Sequence, residues 1–251
     1  MDEFKLLSEN EFVPIEREEH KHICQLNENM TFELKETPEG GIQYVLIRNI
    51  LKHPDDFVTF VKRHPAYGGK LKTYIPGFRQ FFSTTEFMFL HQFWSALYKK
   101  TTGKDTSFWN WASCSNICYP GMVGDVEPHA DLAPYVGSLW LMKDMPDTGT
   151  AFFKFKHDGK VYYNKHDLPK GMYETSPIFK SDARSFRSWY DLEKNERYER
   201  IYVTGSEYNT AVFYSGHYFH NTTLRPDKYP NKVRYSFLSF LEDETVRKKF
   251  Q

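Results

Sequence analysis

The chain is expected to fold as a mainly β protein, a barrel or sandwich preceded by helices, and three observations carry that expectation. From residue 108 onward, short runs rich in aromatic and β-branched residues follow one another, separated by Gly, Pro, Asp and Asn. Strands with turn signals at this density argue for an all-β barrel or sandwich. Helical periodicity is confined to the stretch before residue 108. Aromatics are abundant, with 22 Phe, 17 Tyr and 5 Trp, and such side chains suit half-buried strands and line ligand pockets.

Taken in order, two alternating runs at residues 30–34 and 43–47 flank a turn of composition Pro-Glu-Gly-Gly and read as a hairpin. A helix opens at Pro54, where the fixed φ of proline is pre-organised, and Asp55 and Asp56 suit the positive end of its dipole. Phe57, Phe60 and Val61 form its apolar face. The segment from Tyr74 to Arg79 has turn composition, and a second helix is expected over residues 84–100, opened by capping-box spacing at Ser83 and Glu86. Strands are expected at 108–119, 135–142, 150–155, 161–163, 210–214 and 233–241. Residues 164–198 are polar with scattered aromatics and too long for an ordinary loop; they are expected to be an insertion that folds over a site. The 251 residues are read as one domain, with supporting strands and helices over 1–107 and the β core over 108–241.

Lys+Arg and Asp+Glu balance at 33 each, without the basic surplus or stripe of a duplex-binding protein. No apolar run approaches the roughly 18 residues of a membrane span. Cys24, Cys114 and Cys118 are odd in number and form no CxxC pair, and the first dozen residues lack the charged and apolar regions of a signal peptide. A cytoplasmic protein with reduced cysteines is expected. Cys114 and Cys118, four apart on a strand, share a face and read as small core residues.

Three short patterns carry the chemistry. His129 and Asp131 stand two apart just before a strand, and side-chain direction in extended chain repeats every two residues, so both project to one side. His220 follows the apolar strand 210–214 and the turn at Ser215-Gly216. Two imidazoles and a carboxylate occupy one face of an octahedral ferrous ion and leave three positions open. Arg234 and Ser236 share a face of the last strand, and a guanidinium matches a carboxylate with a bidentate fork. Alone, each pattern has an ordinary alternative: a surface His beside a turn-capping Asp, or an edge-strand Arg in a surface ion pair.

The ordered set of HxD, a long interval, a distal His and RxS on a terminal strand resembles the Fe(II)/2-oxoglutarate-dependent dioxygenases. Gly149-Thr-Ala-Phe-Phe153 and the run from Asn209 through His220 to Pro226 resemble the small prolyl-hydroxylase-like branch of that superfamily. The segments 74–79 and 200–205 are similar to a bacterial and viral subgroup near the free-amino-acid hydroxylases and halogenases. The resemblance spans roughly residues 45–241. It implies a double-stranded β-helix (a jelly-roll, cupin-like), with His129, Asp131 and His220 holding Fe(II). Arg234, helped by Ser236, would bind the far carboxylate of 2-oxoglutarate, with O2 as the other cosubstrate. It also implies hydroxylation rather than halogenation, because the family's halogenases carry Gly or Ala where this chain has Asp131.

The substrate implied is a small polar molecule such as a free amino acid; the alternatives are a protein side chain and a non-enzymatic jelly-roll binding protein. His217 is a second choice for the metal and Arg225 for the cosubstrate carboxylate. Tyr119, Trp140 and Phe153 are candidates for either pocket or core. Arg79 is read as a surface residue, with a substrate carboxylate as its alternative role. His157 and His166 are read as solvated.

Overall fold

The computed structural model describes residues 17–63, 78–82, 88–105, 108–118, 128–131, 133–162, 197–225 and 228–243. Three helices, α1 (Arg17–Ile23), α2 (Pro54–Arg63) and α3 (Met88–Thr102), interleave with strands β1 (Thr31–Glu36), β2 (Gln43–Arg48) and β3 (Phe78–Phe82). Seven more strands follow: β4 (Phe108–Cys118), β5 (Tyr135–Trp140), β6 (Thr150–Phe155), β7 (Tyr198–Val203), β8 (Thr210–Ser215), β9 (His220–Thr222) and β10 (Arg234–Asp243). They form a seven-stranded sheet in the order β1-β2-β8-β5-β10-β4-β3 and a three-stranded sheet in the order β7-β6-β9. Every strand pairing is antiparallel. The mainly β expectation therefore holds.

Local chemistry explains the elements that the sequence marks. Pro54 opens α2, the His53 carbonyl accepts the Phe57 N–H, and Asp55 and Asp56 fill the first turn against Lys62 and Arg63 in the last. Phe57, Phe60 and Val61, at i, i+3 and i+4, are all buried. The hairpin of β1 and β2 pairs Glu36 with Gln43 next to the turn. At the head of β8, Asn209 adopts φ 58°, a conformation Asn tolerates better than most residues. Its amide bonds both the N–H and the C=O of Leu51, at 2.9 and 2.8 Å, which fixes where β2 and β8 begin to pair.

The large sheet packs on both faces. Toward the helices it presents Val45, Ile47, Ile117, Leu139, Phe213, Phe237 and Leu241, which meet Phe57, Phe60 and Trp94 in one buried cluster. Phe57 sits edge-on to Phe237 at 5.5 Å, and the Trp94 indole stacks on Phe213 at 5.4 Å. That stack requires a glycine beneath it, since a Cβ at Gly137 would lie 2.5 Å from the indole. Toward the small sheet, Tyr44, Val136, Trp140, Val212 and Tyr214 meet Phe152 of β6.

Three elements differ from expectation. The chain around Arg79 is a strand rather than a turn, because β3 finds an edge to pair with on β4. Residues 198–203, partly assigned to the insertion, form β7 along β6. The expected strand at 161–163 is represented by a single bridge between Tyr162 and Tyr218. The capping box at 83–86, Tyr119, His166 and the insertion apart from its last two residues lie outside the described residues.

Candidate metal centre

Backbone pairing assembles the site. His129 and His220 face each other across an antiparallel bridge, exchanging N–H···O bonds of 3.1 and 2.9 Å. Directly opposed residues project their side chains to the same side, and the two imidazole rings stand 4.7 Å apart between centroids. Asp131, two residues after His129, points the same way and is tied by its own N–H to the Gly216 carbonyl at 2.7 Å. This crossing is tight. A side chain at Gly216 would collide with the Ala133 carbonyl and lie 3.2 Å from the Asp131 Cβ.

The donor atoms converge as a metal requires. His220 Nε2 lies 3.1 Å from Asp131 Oδ2, and His129 Nε2 lies 3.7 Å from Asp131 Oδ1. One ligand atom from each of the three residues lies within 4.8 Å of the others, close enough for a single ion to be held between them. The far nitrogen of His220 is engaged too, its Nδ1 lying 2.8 Å from the Tyr218 carbonyl oxygen. A carbonyl there holds the proton on Nδ1 and leaves the Nε2 lone pair for a metal. The residues present fit a divalent transition ion.

Electrostatics agree with the geometry. Burial pushes the Asp131 carboxyl up, but the charge and hydrogen bond of His220, with His129 and Arg79 behind them, hold it below the usual carboxylate range. Burial likewise pulls His220 down, and Asp131 together with the Tyr218 carbonyl more than reverses it, leaving the imidazole above its ordinary value. Without a metal the two groups form a buried ion pair. A second group with suitable spacing, His22, His53 and Asp56, is different in kind. His22 and Asp56 there are exposed and bonded to each other at 2.8 Å.

A cavity opens at the triad, lined also by Arg79, Asn116, Ser138, Thr150, Tyr214 and Leu238. Arg234 and Ser236 stand on the same face of β10 as Leu238, four and two residues before it, and both are buried. Arg234 donates from Nη1 to Ser236 Oγ at 2.8 Å and from Nε to the Thr148 carbonyl at 3.1 Å. Among the described residues no carboxylate pairs with this guanidinium, which is 2% exposed. Arg234 does not itself line the cavity.

The remaining candidates separate cleanly. Arg225 forms an ion pair with Asp147 at 3.3 Å and is engaged away from the triad. His217 is neither among the grouped ligands nor in the cavity lining. Trp140 and Phe153 are fully buried core, and His157 is exposed. The surface assignment of Arg79 is corrected: strand β3 pairs it with Asn116 and brings it into the cavity wall.

Tyr214, Thr150 and Asn116 escaped the sequence reading. Tyr214 packs edge-on against His220 at 5.1 Å, and burial, then Asp131, push its phenol well above its ordinary pKa, so it stays neutral. Its position on an apolar strand two residues before the turn that leads to His220 was the available signal.

Among the described residues no helix is long and apolar enough to cross a membrane. No curated protein matches the chain. A family model described as a family of unknown function (DUF6445) matches residues 124–236, a window that opens just before His129 and closes on Ser236.

Proposed function

We propose that the protein is an Fe(II)/2-oxoglutarate-dependent oxygenase that hydroxylates an unactivated C–H bond of a small polar substrate such as a free amino acid. The observation that carries the proposal is the convergence of two imidazoles and one carboxylate at a cavity, facing a large sheet that buries a guanidinium with no carboxylate partner among the described residues. A buried cation is costly unless something anionic meets it. The far carboxylate of 2-oxoglutarate would meet it.

Topology supports the same reading. From β4 onward the chain visits the large sheet, the small sheet at the His129 bridge, the large sheet with β5, the small one with β6 and β7, then β8, β9 and β10 in alternation. Within the sheets, β4-β10-β5-β8 lies over the His129 bridge followed by β9-β6-β7. This order is consistent with the double-stranded β-helix that the proposal implies, with the ligands on the small sheet and Arg234 on the large one.

Ferrous iron with 2-oxoglutarate and O2 supplies the oxidation of the C–H bond, the cosubstrate leaving as succinate and CO2. The chain's own residues bind and orient. His129, Asp131 and His220 take one face of the ion and leave the other face to ligands. Tyr218, through its carbonyl, keeps the His220 proton on Nδ1. Arg234, steadied by Ser236 and the Thr148 carbonyl, presents the remainder of its fork to the cosubstrate. Tyr214 and Phe240 line the same cavity, and their rings would limit water there.

The test is succinate formation by the iron-loaded protein from 2-oxoglutarate under air, across a panel of metabolites, with product mass measured. Substrate-stimulated succinate with a +16 Da product is expected. A protein that binds no divalent metal, or binds it without any 2-oxoglutarate turnover, overturns the proposal.

A further inference from the structure

The cavity wall carries a cation, Arg79, to which the reaction as described gives no ligand. Arg79 lies on β3, at the edge of the large sheet and separated from β10 by β4. The pairing of β3 with β4 sets Arg79 opposite Asn116, and both line the cavity with the triad. The Nε of Arg79 is buried and has no hydrogen-bond partner. Beside it Asn116 is 1% exposed, and its Oδ1 is likewise buried without a partner. The other end of that amide makes only a long contact, Nδ2 to Cys118 Sγ at 3.6 Å. An orphaned donor on a cation and an orphaned acceptor thus stand side by side in one wall.

Buried polar groups are ordinarily paired, and an unpaired set needs a cause. The missing partner can be described from the two orphans. It must offer an anionic acceptor to a guanidinium fork, for which a carboxylate is the geometric match. It must also offer an N–H or O–H to an amide oxygen a strand spacing away. An α-amino acid carries both on adjacent atoms. The cosubstrate lacks the second feature, because a 2-oxo acid has no donor beside its carboxylates.

We infer that Arg79 and Asn116 form the recognition site for the primary substrate, Arg79 taking its carboxylate and Asn116 Oδ1 its ammonium, so that the substrate class is a free α-amino acid rather than a residue within a peptide. This rests on the oxygenase reading above for the identity of the neighbouring ligands. Arg234 then serves the cosubstrate and Arg79 the substrate. A peptide residue, whose amine and carboxyl are both amides, would bring no carboxylate to the Arg79 fork.

The experiment is calorimetric titration of protein loaded with Mn(II), which permits binding without turnover. 2-Oxoglutarate is titrated first. Each free L-amino acid follows at saturating 2-oxoglutarate, alongside its carboxamide and its N-acetyl derivative. At least one free amino acid is expected to bind, with its carboxamide and N-acetyl forms weaker by about 10- to 100-fold, the loss of a charge-assisted hydrogen bond. Arg79→Ala should weaken the amino acid by a similar factor and leave 2-oxoglutarate affinity within about twofold, and Arg79→Lys should fall between. Asn116→Ala should erase the discrimination against the N-acetyl form.

Binding of no amino acid, or equal binding of acid and carboxamide, overturns the inference. A loss of 2-oxoglutarate affinity in Arg79→Ala overturns it too, by giving Arg79 to the cosubstrate. Failure of the oxygenase reading looks different: wild-type protein then binds no 2-oxoglutarate. Amino-acid binding that persists in that case and still needs Arg79 upholds the recognition site.

Discussion

The two faces of the seven-stranded sheet are made by alternate residues of the same strands, and they do opposite things. On β10 the helix-facing series Tyr235, Phe237 and Leu241 packs into the main apolar cluster. The intervening series Arg234, Ser236 and Leu238 runs toward the cavity. β5 divides similarly, with Leu139 against the helices and Ser138 at the cavity. On β8 Phe213 stacks under Trp94 while Tyr214 meets His220. The helix face supplies burial that holds the sheet rigid, and the cavity face places polar groups that would destabilise a core. Period-two alternation lets one strand serve both ends, at the cost that a one-residue slip would ruin both.

That division can be broken at either face, and the two breaks should look different. Asp131→Ala should have the largest effect, abolishing substrate-coupled succinate formation and lowering metal affinity at least about 100-fold, read by metal analysis after dialysis. Phe57→Ala, on the helix face, should cost about 3–5 kcal/mol of stability in denaturant unfolding, with metal stoichiometry kept in the folded fraction. Arg234→Leu should weaken 2-oxoglutarate binding by about 10- to 100-fold, as expected for a charge-assisted bond. The stability of the ligand-free protein should change far less, because the cation removed has no carboxylate partner among the described residues.

A pH series sharpens the contrast. His220 is raised, so its contribution to the metal-free fold is complete below about 6.5, its unfolded value, and is lost as pH climbs through the higher folded value. Asp131 is lowered, so its share is present above about 3.9 and disappears as pH falls through the depressed folded value. Metal uptake needs the His220 Nε2 lone pair and must expel that proton. Metal-free stability should therefore decline as pH rises above about 6.5 while metal affinity rises, by up to about tenfold per pH unit below the His220 value. Affinity that is flat between pH 5.5 and 8 would detach His220 from the metal. The smallest effect is expected at the exposed pair. His22→Ala should alter stability by less than about 1 kcal/mol and leave metal content unchanged.

The triad was legible in the sequence because its ligand types sit in rare company. A His and an Asp two apart before a strand, and a His just past an apolar strand, are local patterns whose side-chain direction follows from the two-residue period. Helix α2 was legible for the same reason, its proline, acids and apolar face all lying within ten residues. What escaped was set by distant partners. Phe78–Phe82 follows a turn-like stretch, and only pairing with β4 makes it a strand. The location of Arg79 depends on that pairing and on nothing near it in the chain. His220–Thr222 is three residues long, held by β6 and the His129 bridge rather than by propensity. Arg225, the second choice for the cosubstrate carboxylate, pairs with Asp147, 78 positions away.

The bridge between His129 and His220 has a further consequence for how a metal would be acquired. Its two halves are about 90 residues apart, and β10 docks between β4 and β5 through contacts spanning about a hundred residues or more. Contacts of such span form late and slowly. A nascent or partly folded chain therefore offers a metal only isolated His and Asp side chains, each a weak ligand alone. Under the proposed function, loading would become a checkpoint on completed folding, and the ion would be held tightly only once a cavity surrounds it.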